Sequence, residues 1–224
     1  MTVLAAVAEV LEAARAAGVA PALSAAVLRG GALVHESFHG ALPAPGERPL
    51  GPGDLFDVAS LTKVLCTATL AAQAVAEGAL DLDAPVARLL PGFEAAGKGG
   101  VTARHLLAHS SGLPWWRPFH ELAPRDARAA PLFRPPSERP PFAALAAPFA
   151  RARALVVEAL LAEPLEALPG ARAVYSDPGF VALGLALERA LGAPLPELFA
   201  ARVARPLGLA DTLFVDGLRP GRSA

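Results

Sequence analysis

The sequence predicts an α+β fold in which the helices are segregated from a small antiparallel sheet. Two short apolar runs flank Gly30-Gly31 in "PALSAAVLRGGALVHESFHG", which is typical of a β-hairpin. Most of the chain after this hairpin has helical patterning, and no internal repeat is visible. With 224 residues, 54% of them hydrophobic, and a formal net charge of -1, we expect one or at most two domains.

The first half of the chain predicts its elements in a clear order. Residues 2–17 are predicted as a helix ended by Gly18, and the hairpin at about 22–39 is followed by the Pro/Gly loop "ALPAPGERPLGPGD". A second helix is predicted from Ser60 to Glu77, where Gly78 stops it, followed by a turn and a short helix in "LDLDAPVARLLPGF".

The second half begins with "VTARHLLAHSSG", predicted as a helix with Thr102 as its N-cap and Gly112 after its end. From about residue 114 to 148 the chain is rich in Pro, Arg and Ala, which predicts a loop or loosely ordered insert within a single domain spanning 1–224. Helices are predicted to resume at 149–162, 178–191 and 195–204, and "TLFVD" could add one more strand.

Composition excludes several classes of function. The chain has no basic stripe and no acidic tail, so neither nucleic acid nor a charged membrane surface is indicated as a partner. "MTVLAAVAEVLEAARAAG" lacks the basic start of a signal peptide, and no apolar run approaches the roughly 18 residues of a membrane helix. We therefore expect a cytoplasmic protein. Cys66 is the only cysteine, so no intrachain disulfide can form, and we expect a buried structural thiol.

Ser60 and Lys63 are the first candidate for chemistry. Only two of the twenty basic residues are lysines, Lys63 and Lys98, and the rest are arginines. A serine three residues before a lysine on a helix shares its face, so the two side chains can form a hydrogen bond. Lysine can act as a base toward a serine hydroxyl, whereas arginine does not deprotonate. The alternative is a serine at the helix start beside a solvated lysine.

Tyr175 is the second candidate because it is the only tyrosine, against ten phenylalanines. It lies in the polar turn "ARAVYSDPGFVALG" before a predicted helix, not in an apolar run. This position indicates a role for the phenol hydroxyl and not for packing of the ring. The alternative is a surface tyrosine in a turn.

Three segments in order, "FDVASLTKVLCT", "VTARHLLAHSSGLP" and "AVYSDPGFVALGLALE", resemble the serine β-lactamase and penicillin-binding-protein superfamily, above all its class C and esterase-like branch. The resemblance runs to "RVARPLGLADTLFV" and implies a β-lactamase/DD-peptidase-like fold with helices around a small antiparallel sheet. It implies that Ser60 is the acylated nucleophile, Lys63 the general base and Tyr175 the proton relay to the leaving group. The "HLLAHSSGLP" segment is similar to a structural signature of the family.

The chain departs from the family pattern at two places. The usual Tyr-x-Asn motif has Asp177 as its third residue here, and a carboxylate near Lys63 would favour the charged ammonium; we assign Asp177 to substrate binding. No Lys-Thr-Gly or His-x-Gly motif follows Tyr175, and Lys98-Gly99-Gly100 precedes it, so we reject that segment as a substitute. In the family this late strand supplies one of two oxyanion-hole N–H groups. We therefore expect the fold to be truncated before the late sheet strands.

His105 and His109 are four residues apart, the spacing of a two-histidine metal site, but His-Glu-x-x-His is absent and the resemblance favours packing and capping. We expect no metal and no cofactor. The predicted function is a serine hydrolase that cleaves small esters or amides through an acyl-serine. The alternatives are a catalytically incomplete fragment or pseudoenzyme, with a complementing C-terminal chain as its partner, and a helical metal-binding module.

Overall fold

The computed structural model describes residues 3–42 and 48–214. The chain divides into two compact units, the first within residues 1–57 and the second within residues 58–223. Each unit is described by itself below. The helices and the small antiparallel sheet confirm the predicted α+β class.

The first unit holds helix α1 (Val3–Ala16) and strands β1 (Ala22–Arg29), β2 (Ala32–Leu42) and β3 (Arg48–Pro49). Strands β1 and β2 form the predicted antiparallel hairpin, with Ala22 opposite Gly40 and Arg29 opposite Ala32. Gly30 and Gly31 both have positive φ, which a two-residue turn with this twist requires. The strand order is β1-β2-β3.

The sequence suggested "TLFVD" as a third strand, but the third strand of the structure lies elsewhere. Strand β3 lies in the segment predicted as a Pro/Gly loop, where two residues pair with the end of β2. Thr212–Phe214 has no regular secondary structure, and the last two residues of "TLFVD" lie outside the described residues. A strand of two residues, one of them a proline, carries too little pattern for recognition in a sequence.

The second unit is helical. The π-helical segment Lys63–Ala68 continues directly into α2 (Thr69–Ala76), and we call the two together the Lys63–Ala76 helix. The remaining α-helices are α3 (Ala103–Leu107), α4 (Leu122–Arg125), α5 (Ala146–Ala162), α6 (Asp177–Leu191) and α7 (Leu195–Phe199), and a second π-helical segment, Ala200–Ala204, follows α7. Short 3₁₀ turns include Val86–Arg88 and Ala95–Gly100.

The core of the second unit forms where α6 packs against α3 and the Lys63–Ala76 helix. Alanines and leucines alternate on the buried faces, so the helices approach closely and leucines fill the space between them. The fully buried members include Leu70, Ala71, Ala74, Leu106, Ala182, Leu183, Ala186 and Leu187. This packing fixes the start of the Lys63–Ala76 helix relative to the start of α6.

Two predicted segments differ in detail from the structure. The helix predicted from Ser60 begins with turn-like hydrogen bonds and then runs as a π-helix, a backbone variant that side-chain pattern does not encode. The predicted insert at about 114–148 contains α4, several 3₁₀ turns and the start of α5, so it is a folded run of short turns.

None of the helices within 3–42 and 48–214 combines the length and the apolar character needed to cross a bilayer. The cytoplasmic location and the single-domain assignment of 1–224 remain predictions.

Candidate active site

Ser60 lies in the turn that opens the Lys63–Ala76 helix. The Ser60 carbonyl accepts the Lys63 backbone N–H at 3.0 Å, so the two residues sit one tight turn apart. Their side chains meet as the sequence spacing predicts, and Lys63 Nζ donates to Ser60 Oγ at 3.1 Å. The Ser60 side chain is exposed, whereas that of Lys63 is only 14% exposed. A small molecule can therefore reach the serine while the lysine is held below it.

Backbone irregularities surround this turn. Ala59, directly before Ser60, has a φ of 44°, a left-handed conformation that costs free energy for any residue with a Cβ. The π-helical segment begins at Lys63, and Thr69 Oγ1 just after it donates to the Val64 carbonyl at 2.9 Å. Strained residues and π-helical turns concentrate at functional sites, which makes this turn a candidate on backbone grounds alone.

The structure brings Tyr175 to the same place. Lys63 Nζ lies 4.9 Å from the centre of its ring, and the side chains of Lys63 and Ser60 act on its hydroxyl to lower the pKa of Tyr175. The His109 ring packs against the Tyr175 ring at a centroid distance of 4.5 Å. Tyr175 is 49% exposed, so its oxygen is available to a molecule bound over Ser60.

Asp177 completes the cluster. It is the first residue of α6, and its Oδ1 lies 2.6 Å from Lys63 Nζ, an ion pair whose angles do not meet hydrogen-bond geometry. Ser176 caps α6, since its Oγ accepts the Gly179 N–H at 3.0 Å and donates to the Pro114 carbonyl at 2.7 Å. Asp177 is thus held by its helix start and directed at the lysine.

Neighbouring groups shift the pKa values of Lys63 and Tyr175 in opposite directions. Burial of Lys63 favours the neutral amine, but the Asp177 carboxylate and the Tyr175 phenol outweigh it, so the pKa of Lys63 lies above its ordinary value. Hydrogen bonds from Lys63 and Ser60 hold the pKa of Tyr175 below its ordinary value, against the weaker effects of burial and Asp177. This arrangement favours an ammonium beside an acidified phenol, whereas a lysine base needs a neutral amine.

His109 and His105 have structural contacts. His109 Nδ1 accepts the Ser176 backbone N–H at 3.0 Å, and burial, aided by the Lys63 charge and opposed by Asp177, lowers the pKa of His109. The neutral ring that results is the form that can accept this bond. His105 forms a capping box with Thr102, the N-cap predicted for α3. Within the described ranges no three or more His, Cys, Asp or Glu side chains are grouped to hold a metal.

The "HLLAHSSGLP" segment acts as a frame for the approach to Tyr175. The His109 carbonyl accepts the Val174 N–H, the Ser110 carbonyl accepts the Gly170 N–H, and the Gly112 carbonyl accepts the Glu166 N–H, at 2.7–2.8 Å. Together these bonds fix residues 166–174, which form no helix or strand of their own. The structural role that the sequence assigned to this segment agrees with these contacts.

Sequence reasoning missed two members of the surroundings. Ser176 was not singled out, although a serine before Asp-Pro-Gly at a helix start is a recognisable cap. The family resemblance favours a packing and capping role for His109, but the sequence does not identify its partner, because stacking against a tyrosine distant in the chain leaves no local signal.

A cleft of about 530 Å³ adjoins the cluster. Ser60, Lys63 and Asp177 line it, and α6 contributes an apolar wall through Phe180, Val181 and Leu185. Glu188, which forms an ion pair with Arg153, also lines the cleft. It lies eleven residues after Asp177 on α6, which is about 16 Å along the helix axis at 1.5 Å per residue. The volume suits a small organic molecule.

Comparison with known proteins shows what this chain is similar to. Esterase EstB of Burkholderia gladioli is 32% identical over 201 residues, which is 85% of this chain and 46% of the esterase. A penicillin-binding-protein homologue from Pyrococcus abyssi superposes with a TM-score of 0.67 at 24% identity, over 94% of this chain and 44% of its own. A class C β-lactamase superposes with a TM-score of 0.70 at 21% identity, over 95% and 51%.

The chain spans less than half the length of the curated relatives it matches, from 33% to 46%. The match to the family itself is nevertheless extensive, since the model of the β-lactamase family covers residues 7–218. With its three ordered motifs and a family model that matches residues 7–218, the chain belongs to the β-lactamase family.

Proposed function

We propose that this chain carries the nucleophile of a serine hydrolase that cleaves small esters or amides through an acyl-serine intermediate. The observation that supports it most is the convergence of Ser60, Lys63 and Tyr175 beside an open cleft. EstB is named as an esterase, and Asp177 in place of the usual Asn is compatible with the esterase-like branch.

We assign the proton transfers from the charges in the cluster. Ser60 Oγ attacks the carbonyl carbon, its proton passes to Tyr175 as the phenolate, and Lys63 as the ammonium stabilises that phenolate. Tyr175 then returns the proton to the leaving group, and water releases the acyl group in a second step. The family resemblance implies Lys63 as the base; because Asp177 Oδ1 lies 2.6 Å from Lys63 Nζ and favours the ammonium, we assign the base role to Tyr175 instead. No metal or cofactor takes part in these steps.

Labelling of Ser60 tests this proposal. A fluorophosphonate probe should add to the native chain, and intact mass with peptide mapping should place the adduct on Ser60. The Ser60→Ala variant should take up no probe, because the attacking oxygen is gone. Ser110→Ala is the matched control, a serine in the same unit outside the cluster, and should be labelled like the native chain. A native chain that remains unlabelled, or is labelled elsewhere, would contradict the proposal.

A second candidate is a catalytically incomplete fragment that needs a complementing C-terminal polypeptide. It is favoured by the outer side of the Lys63–Ala76 helix and the turn before it, where Leu61, Val64, Leu65 and Val75 are all exposed. We call these four residues the outer apolar face. Four large apolar side chains at 36–58% exposure are unusual on a helix that also contributes residues to the core.

The two candidates differ in turnover. A fragment lacking one oxyanion-hole donor should lose about 10²–10³ in kcat while its serine can still react with a strong electrophile. Labelling of Ser60 without hydrolysis of a nitrophenyl ester would therefore favour the incomplete fragment. Labelling together with brisk hydrolysis would favour the complete hydrolase.

A further inference from the structure

Lys98, the second of the two lysines, is fully buried at 0% exposure. Its Nζ donates to the carbonyls of Leu161 at 2.9 Å and Glu163 at 2.6 Å, and it lies 5.5 Å from the centre of the Phe93 ring. These carbonyls are at the C-terminal end of α5, where backbone oxygens lack helical partners and a cation is favourable. A compact ammonium can serve both at once.

A second set of contacts runs from this point toward the cluster. The Glu163 carboxylate accepts from Arg117 Nε at 2.9 Å, and Arg117 Nη2 also reaches Glu166 Oε1 at 3.2 Å. Two residues before Arg117, the Trp115 carbonyl accepts the Asp177 N–H at 3.0 Å. Polar contacts and short chain segments thus connect the buried end of α5 to the residue that pairs with Lys63.

The connector between these points is irregular. Residues 163–176 form no helix or strand, yet they carry Tyr175 and lead directly into Asp177. Lys98 and Arg117 hold its first residue, and the carbonyls of the 109–112 segment hold its middle and end. Without regular hydrogen bonding of its own, this connector depends on such side-chain anchors for its position.

We propose that Lys98 and Arg117 are positioning residues: by anchoring Glu163 they hold the connector so that Tyr175 and Asp177 meet Lys63 and Ser60. Neither residue touches the reacting atoms. Their catalytic importance rests on the proposed function, whereas their effect on the position of Tyr175 does not.

Tyr175 offers a readout that needs no activity. It is the only tyrosine, so an ultraviolet absorbance titration of the native chain reports this phenol alone. The charged groups that face it are Lys63, which lowers its pKa, and Asp177, which opposes this effect, while the neighbouring His109 ring has a lowered pKa. The Lys63→Met variant sets the scale, since removing the ammonium should move the titration midpoint upward.

Lys98→Met keeps the length of the side chain and removes its donors. We expect it to shift the titration midpoint of Tyr175 upward by at least half as much as Lys63→Met does. It should also slow Ser60 labelling at least tenfold. Leu90→Ala is the control, because Leu90 is buried in the same unit outside these contacts; it should lower Tm and leave the midpoint unchanged. A folded Lys98→Met variant with the native midpoint would overturn the proposal.

Arg117→Gln decides the matter if Lys98→Met does not fold, because Arg117 is itself a third exposed and glutamine keeps an N–H donor for the Glu163 carboxylate, which is 12% exposed. Its midpoint should shift upward by a smaller amount, and an unchanged midpoint would contradict the proposal. Absence of Ser60 labelling in the native chain would refute the hydrolase and leave this titration valid.

Discussion

At the scale of single residues, two lysines stand where arginine would not serve. Lys63 places one ammonium among a serine hydroxyl, a phenol and a carboxylate, and Lys98 places another under two carbonyls in the core. Arginine is larger and planar, so neither the close contact of one ammonium with Ser60 and Asp177 nor the tight capping of two carbonyls is available to it. At both positions the compact ammonium of lysine accounts for its use in an arginine-rich chain.

The role of Lys63 can be separated from that of Tyr175 by three variants. If Tyr175 is the base, Tyr175→Phe should slow Ser60 labelling by about 10²–10⁴, and Lys63→Arg, which keeps a cation, should react faster than Lys63→Met. The labelling rate of the native chain should rise with pH through the lowered pKa of Tyr175 and fall once Lys63 loses its proton. Equal loss in Lys63→Arg and Lys63→Met would return the base role to lysine.

At the scale of elements, the helix starts and the hairpin could be predicted from the sequence. Gly30-Gly31, the Thr102 cap and the Ser60–Lys63 spacing are local signals, and the structure has the corresponding turn, capping box and hydrogen bond. The brief strand β3, the π-helical segment and the stacking of His109 on Tyr175 depend on contacts distant in the chain or on backbone detail. Propensity and periodicity do not encode such features.

Gly112, in the "HLLAHSSGLP" segment, lies against Ala167 of the connector formed by residues 163–176. Its φ is +82°, and a Cβ there would lie 2.0 Å from the Ala167 carbonyl oxygen, which is backbone and cannot rotate away. Gly112→Ala should therefore push the connector outward, lowering stability by about 1–3 kcal/mol and slowing Ser60 labelling. Thermal unfolding and labelling rates measure the two effects.

Gly100→Ala is the matched control for this change. Gly100 lies in the same unit, has an ordinary φ and has open space around its Cβ position, so alanine should be tolerated. Similar Tm values for the two alanine variants would show that the connector does not need its close approach to Gly112.

At the scale of the whole molecule, the outer apolar face and the family match bear on the same question. Family members such as EstB extend well beyond the matched part, and the described residues of this chain hold three strands, one of them two residues long. Large apolar side chains that are exposed on a helix form the kind of surface that a further chain segment or a partner buries. The outer apolar face, with Val64 at 58% and Leu61 at 57% exposure, offers such a surface.

The state of the isolated chain follows from that exposure. We expect it to bind a hydrophobic dye, to self-associate and to hydrolyse esters poorly. Val64→Gln combined with Leu65→Gln should reduce dye binding and association with little loss of Tm, because exposed side chains contribute little burial. Leu168→Gln with Leu207→Gln, which removes two exposed leucines elsewhere, should reduce dye binding and association less.

Co-expression with the part of EstB that lies outside its match to this chain should suppress dye binding and restore turnover. A monodisperse, dye-silent chain with brisk esterase activity would instead mean that the outer apolar face needs no cover.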